Sequence, residues 1–233
     1  MVTCGLIMFV RLAIIAFCCS YLTWAQLLYE SLPEIEVYDS VVVALSEQLQ
    51  THAQTAEETK KETRIVLQRR PAQGHCPRPH EYKEGALRLD ISKLNSVLRV
   101  DSLHAGLSDW ELVPVEIRDF KEIAAVATVG ALSSMEVLVD TLLPLGLVPA
   151  VVPEFKGITV GGAVQGLAAE SSSAKYGFVH DSVIEFDALL ANGTRVTCSR
   201  TRNAELFRAV PGSFGSLATV SYTHLTLPTI LRV

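Results

Sequence analysis

The sequence predicts an α+β fold preceded by an N-terminal transmembrane helix, and three observations carry that prediction. Leu12 to Leu28 runs without a charge for nearly the length needed to cross a bilayer. Between Ala86 and Pro153, apolar runs of strand composition bracket one strongly amphipathic stretch. A segment rich in glycine and serine, Gly157 to Asp181, then leads into further strand-like runs split by Asn192-Gly193.

The chain has 233 residues, of which 49% are hydrophobic, enough for one large domain or two small ones around a buried core. A formal net charge of −5, a pI near 5.7 and no long basic run argue against a nucleic-acid partner. Cys4, Cys18 and Cys19 lie in the apolar N-terminus, which leaves Cys76 and Cys198 for the rest. Those two build neither a disulfide framework nor a paired-cysteine zinc site, so no metal is expected.

Residues 1–29 read as a membrane anchor, with Arg11 ahead of the apolar run and Trp24 and Tyr29 at its far end. The other reading is a signal peptide cleaved after Ala25, where Thr23 and Ala25 supply the small residues. Residues 30–61 read as a juxtamembrane linker and one exposed helix, whose apolar positions Val42, Leu45 and Leu49 recur at helical spacing. A domain over residues 62–220 follows. "TRIVLQRRP" looks like a strand ending at Pro71, "PAQGHCPRPHEYKEG" like a long loop, and a polar insertion runs from Ser102 to about Arg118. Glu122 to Val129 has the alanine and valine content of a buried strand. "SSMEVLVDTLLPLG" is the clearest helix, with Ser133 and Glu136 in a capping-box pattern and Gly146 at its C-terminal cap. "LVPAVVP" reads as the next strand, Asn192-Gly193 as a hairpin turn, and "NAELFRAVPGSFGSLATV" as a short helix, a second Gly/Ser turn and the start of a strand.

Gly157 to Asp181 holds five glycines and three consecutive serines with only three charged side chains. Glycines let backbone N–H groups approach an anion with no Cβ in the way, and hydroxyls add donors, so the segment suits a phosphate-bearing ligand. A surface turn with a flexible linker is the other reading of the same composition. Its place between a strand–helix–strand unit and a hairpin favours the first. His75, Cys76 and His80 form an incomplete metal set. His180 and Asp181 form a catalytic pair on paper, or simply begin a strand through a turn-forming aspartate.

"LDISKLNSVLRVD", the run leading to "TVGG", the segment Thr159 to Gly177, the Asn-Gly hairpin and "AELFRAVPGSFG" together resemble the FAD-binding PCMH-type domain of the vanillyl-alcohol oxidase superfamily. Within it, "TVGGAVQGLAAESSSAKYG" is similar to the delta-24 sterol reductase family, and Arg78, Tyr82 and Lys83 add weaker likeness. The resemblance spans roughly Asp39 to Val220 and implies two α/β subdomains with FAD bound non-covalently. It implies that Thr159, Val160, Gly161, Gly162 and Gly166 approach the FAD pyrophosphate. Glu170, Ser171, Ser172 and Ser173 would line the ribityl or phosphate path, and Gly177 would turn the chain away. It further implies NADPH-driven saturation of a sterol side-chain double bond, at the endoplasmic reticulum membrane with the FAD domain cytosolic. The partners expected are therefore a sterol substrate and membrane lipid. In the oxidase branch a loop histidine bonds to the flavin, which is the alternative role of His75. No catalytic residue can be named.

Two other functions fit the same residues: an FAD-linked oxidase of an alcohol or sugar, and an inactive, membrane-tethered fragment. Residues 221–233 are expected to be a non-native tail, because Val220 to Thr229, "VSYTHLTLPT", resembles one translated frame of a sequencing-library adapter. A genuine short strand is the other reading of that stretch.

Overall fold

The stripe Val42, Leu45 and Leu49, joined by Tyr38, fixes the first helix. In the computed structural model, which describes residues 35–60, 64–68, 84–102 and 123–228, helix α1 spans Ile35–Thr59. All four side chains are buried, so the helix expected to be exposed lies with one face in the core. They pack with Leu89, Ile91, Leu94, Leu98 and Leu189. Each fully buried leucine is worth roughly 1.5–3 kcal/mol relative to exposure. Beside α1 lie strands β1 (Ile65–Gln68) and β2 (Leu87–Asp90), paired parallel with Ile65 opposite Leu87.

The larger sheet has five strands in the order β3-β4-β7-β5-β6, all neighbours antiparallel. They are β3 (Val97–Ser102), β4 (Ile123–Gly130), β5 (Val183–Leu189), β6 (Arg195–Ser199) and β7 (Thr219–Pro228). The pleat puts Ala125, Ala127, Val129, Phe186, Leu225 and Leu227 in the core. The opposite face carries Asp187 across from Tyr222, and His224 flanked by Glu185 and Thr128. Burial holds the His224 imidazole below the usual histidine range, and Thr128 Oγ1 lies 3.2 Å from its Nδ1. Residues 221–228, read from the sequence as lying beyond the domain, run as the central strand.

Helix α2 spans Met135–Leu142 and buries Met135, Leu138 and Leu142. Its N-cap is Ser134, whose Oγ accepts the Val137 N–H at 3.2 Å, and not Ser133 as the capping-box pattern predicts. Glu136 instead accepts a 2.8 Å bond from Lys156. A 3₁₀ turn, Leu143–Leu145, ends at Gly146 with φ +72°, as the sequence predicts. The expected strand "LVPAVVP" does not form: Pro149 and Pro153 bring no N–H to a ladder, and the segment crosses as a loop with Leu147 and Val151 buried. Helix α3 (Val160–Gln165) lies against β4 and β7, and short α4 (Ser173–Tyr176) and a 3₁₀ turn (Val179–Ser182) lead into β5. Helix α5 (Ala204–Ala209) covers the sheet through Phe207, stacked on Phe186 at 5.3 Å.

The Asn192-Gly193 hairpin forms between β5 and β6. The Leu190 N–H donates to the Thr194 carbonyl at 2.9 Å, and Gly193 takes φ +82°. A Cβ on Gly193 would lie 2.5 Å from the Ser46 carbonyl, so the turn also docks α1. Among the described residues no helix is long and apolar enough to cross a membrane. The anchor expected over residues 1–29 lies outside the described residues. So do His75, Cys76, Arg78, His80, Tyr82 and Lys83, and all but the start of the polar insertion.

Candidate functional site

The Gly/Ser segment is built onto the turn that leaves β4. Thr159 caps α3 with extended backbone, its Oγ1 accepting the Gly162 N–H at 3.3 Å. The Val160 N–H donates to the Ser133 carbonyl and the Gly161 N–H to the Ala131 carbonyl, both at 2.8 Å. The first-turn donors that the sequence reading aimed at a phosphate are thus largely engaged within the protein.

The glycines divide by what a side chain would meet. A Cβ on Gly161 would lie 2.7 Å from the Ala131 Cβ, so this glycine serves the close approach of α3 to the β4 turn. At Gly162, which is exposed, a Cβ would meet only Thr159 Oγ1, at 2.8 Å. The open face of the segment is therefore at Gly162, where the long Thr159 contact leaves a donor that an incoming anion can recruit. Gly166 caps the far end of α3, where a Cβ would crowd the Gly162 carbonyl at 2.8 Å.

Beyond Gly166 the chain makes a second hydroxyl-rich turn. The Glu170 N–H donates to Ser173 Oγ at 3.0 Å, and the Glu170 carboxylate accepts the Ser171 N–H at 2.7 Å. Glu170 is exposed and spends its charge on that turn, which accounts for a carboxylate in a segment suited to anions. Ser171 is exposed, and Ser172 and Ser173 are half-buried. Gly177 ends α4 with φ +74°, and a side chain there would run into the Asp181 carboxylate. Asp181 accepts the Phe178 N–H at 2.7 Å, and its other oxygen is 3.6 Å from His180 Nε2. Asp181 is thus the turn former of the two readings, with His180 stacked on Phe178 at 5.7 Å.

Ser133 was read from the sequence as a cap; in the structure its Oγ is fully buried with no hydrogen-bond partner, one residue from the Ser134–Thr159 bridge. The only legible signal was the doubled serine directly after a strand. The structure also brings the second Gly/Ser turn to the site, because the N–H groups of Gly212 and Phe214 both donate to the Gln165 carbonyl, at 3.0 and 3.2 Å. Hydroxyls and an open glycine N–H form a donor set that fits a pyrophosphate, and the two nearby carboxylates are engaged by their own backbone N–H groups.

Residues 40–199 match the family model described as FAD binding domain. The chain is 28% identical over 159 residues to Delta(24)-sterol reductase of Rattus norvegicus, a match covering 61% of this chain and 31% of that protein. It is 36% identical over 120 residues to Delta(24)-sterol reductase of Pisum sativum, covering 51% of this chain and 21% of that one. Its fold is similar to the crystal structure of a VAO-type flavoprotein from Myceliophthora thermophila, with a TM-score of 0.56 at 20% identity over 77% of this chain and 30% of that one. The chain thus spans about a third of the length of the rat relative it matches.

Proposed function

The chain belongs to the FAD-binding domain family, and from that premise we propose that it is the cofactor-binding part of an FAD-dependent reductase acting on a sterol side-chain double bond, with NADPH as electron donor. The observation that carries this reading is the Thr159–Gly177 segment, whose open glycine and hydroxyls fit a pyrophosphate, in a chain similar to two sterol reductases. When bound, FAD supplies hydride chemistry, which is the cofactor's own. This chain's residues would bind and orient: Thr159 and Gly162 would hold the start of the pyrophosphate path, with Val160 and Gly161 behind them, their N–H groups spent on the Ser133 and Ala131 carbonyls. Gly166, Glu170 and the three serines to Ser173 continue it toward the ribityl chain, and Gly177 turns the backbone away.

The reading extends to an endoplasmic reticulum membrane protein anchored by Leu12 to Leu28, with the FAD-binding domain in the cytosol. Asn192-Gly193-Thr194 is a formal glycosylation acceptor on an exposed turn, so a glycan on Asn192 would place the domain in the lumen and overturn that part.

The test is Gly162→Trp in the full chain. Purified protein is expected to lose its visible flavin absorbance while keeping its far-ultraviolet circular dichroism; unaltered flavin content would refute the assignment of the segment. Flavin reduction by NADPH separates the reductase from an oxidase, which a hydroxylated substrate would reduce instead.

A further inference from the structure

Two turns that meet at the end of α3 each hold a large apolar residue in the left-handed region. Leu167 has φ +53° directly after the cap Gly166, and Phe214 has φ +52° between Gly212 and Gly215. L-residues other than glycine avoid this conformation because Cβ crowds the backbone carbonyl. The Ala168 N–H donates to the Ala163 carbonyl at 2.9 Å, closing the helix-end motif whose left-handed position is ordinarily glycine. This chain, otherwise generous with glycine here, places leucine there.

Both side chains stay in solvent: Leu167 is 41% and Phe214 66% exposed. Each lies over the other turn's glycine, since a Cβ on Gly212 would be 3.2 Å from Leu167 Cδ1 and one on Gly166 3.9 Å from Phe214 Cε1. Gln165 locks the arrangement from below, its Nε2 donating to the Ala218 carbonyl at 3.2 Å. Phe178, 44% exposed, stands beside the same turn, where the Val179 N–H donates to the Ala168 carbonyl at 3.0 Å. A hydrophobic staple would explain the pairing. It does not explain why two strained residues keep so much apolar surface in water, three residues before the hydroxyl turn at Glu170. Strain held at an exposed position beside a ligand segment points to a ligand contact.

We propose that Leu167 and Phe214 form a stacking surface for a flat heteroaromatic ring of the bound dinucleotide, either isoalloxazine or adenine. This rests on the FAD reading above. The absence of side chains on Gly166 and Gly212 lets Phe214 and Leu167 lie close over the opposite turn, and the locked backbone presents their exposed faces pre-organised.

Glycine substitution separates the two roles, because glycine relaxes the left-handed backbone while removing the side chain. Leu167→Gly and Phe214→Gly are to be made in the full chain, with thermal unfolding of the flavin-free protein followed by circular dichroism and FAD affinity by fluorescence titration. The expected result is an unchanged or higher midpoint with FAD affinity lowered roughly tenfold, the scale of one lost ring stack. Titration with FMN and with ADP tells the rings apart: the loss follows FMN if isoalloxazine stacks and ADP if adenine does, and a loss with neither overturns the proposal. Unchanged FAD affinity also overturns it, as does a lower midpoint accompanying the loss, which is the mark of a staple. If the unaltered chain takes up no FAD, the family-based reading falls as well, whereas equal binding by parent and variants sinks only the stacking surface.

Discussion

Ser133 and Ser134 are neighbours with opposite energetic roles. Ser134 Oγ satisfies the Val137 N–H at the start of α2, whereas Ser133 Oγ is sealed away with no partner. Loss of an N-cap costs about 1 kcal/mol, and an unsatisfied buried hydroxyl costs about 1–3 kcal/mol to retain. Ser134→Ala is therefore expected to lower stability by about 1 kcal/mol in urea unfolding with flavin affinity unchanged. Ser133→Ala removes the unsatisfied hydroxyl and is expected to hold or raise stability in the same measurement; a loss like that of Ser134→Ala would mean that the Ser133 hydroxyl has a partner after all. Cys198 shows a different residue-scale constraint. Its thiol is fully buried, and burial, with the Asp187 and Glu185 charges adding to it, pushes its pKa up to about 11. Since the thiolate is the reactive form, roughly one thiol in a thousand is ionised at about pH 8. Peptide mapping after alkylation should find Cys198 unmodified in the folded protein and labelled only in denaturant.

The elements are joined by one arginine. Arg195 on β6 donates to Asp187 on β5 at 2.6 Å and to the Tyr222 hydroxyl at 3.0 Å, and its guanidinium lies 2.8 Å from the Asp39 carboxylate of α1 as an ion pair. Asp187 is nearly sealed, at 3% side-chain exposure, while Asp39 is 41% exposed. The partner set holds the Arg195 guanidinium charged, and burial with the Asp187 charge pushes the Tyr222 phenol up to about 12. Removing one member of a buried pair strands the other charge, so Arg195→Ala is expected to cost about 3 kcal/mol or more. Asp39→Asn removes only an exposed arm and is expected to cost under about 1 kcal/mol. Chemical denaturation of the two variants checks the difference; similar losses would mean that Asp39 is the member holding α1 to the sheet. The sequence showed neither this network nor its role, because Asp39, Asp187 and Arg195 carry no local pattern and meet only through the hairpin and α1. It did show the hairpin, since Asn-Gly encodes its turn locally, and the apolar stripe of α1 at helical spacing, but not that this stripe is buried, which depends on what covers it.

At the scale of the whole molecule, β7 holds the larger sheet together, pairing with β4 on one side and β5 on the other. The slot accepts any alternating run of β-branched and apolar residues, and "TVSYTHLTLP" meets that pattern. A stop codon after Val220 would open two sheet edges, so the shortened chain is expected to aggregate on purification, as scattering in size-exclusion chromatography would show. By itself the sequence determined the α+β class, a helix within residues 39–61 and another within 133–146, the Asn-Gly hairpin and the composition of the Gly/Ser segment. Each of those rests on interactions within a few residues. Only the tertiary structure decided that "LVPAVVP" is a loop, that Ser133 is orphaned, that Gly161 serves packing while Gly162 faces outward, and that Leu167 and Phe214 meet. These are properties of what the fold brings alongside a residue, and no pattern along the chain encodes its distant neighbours.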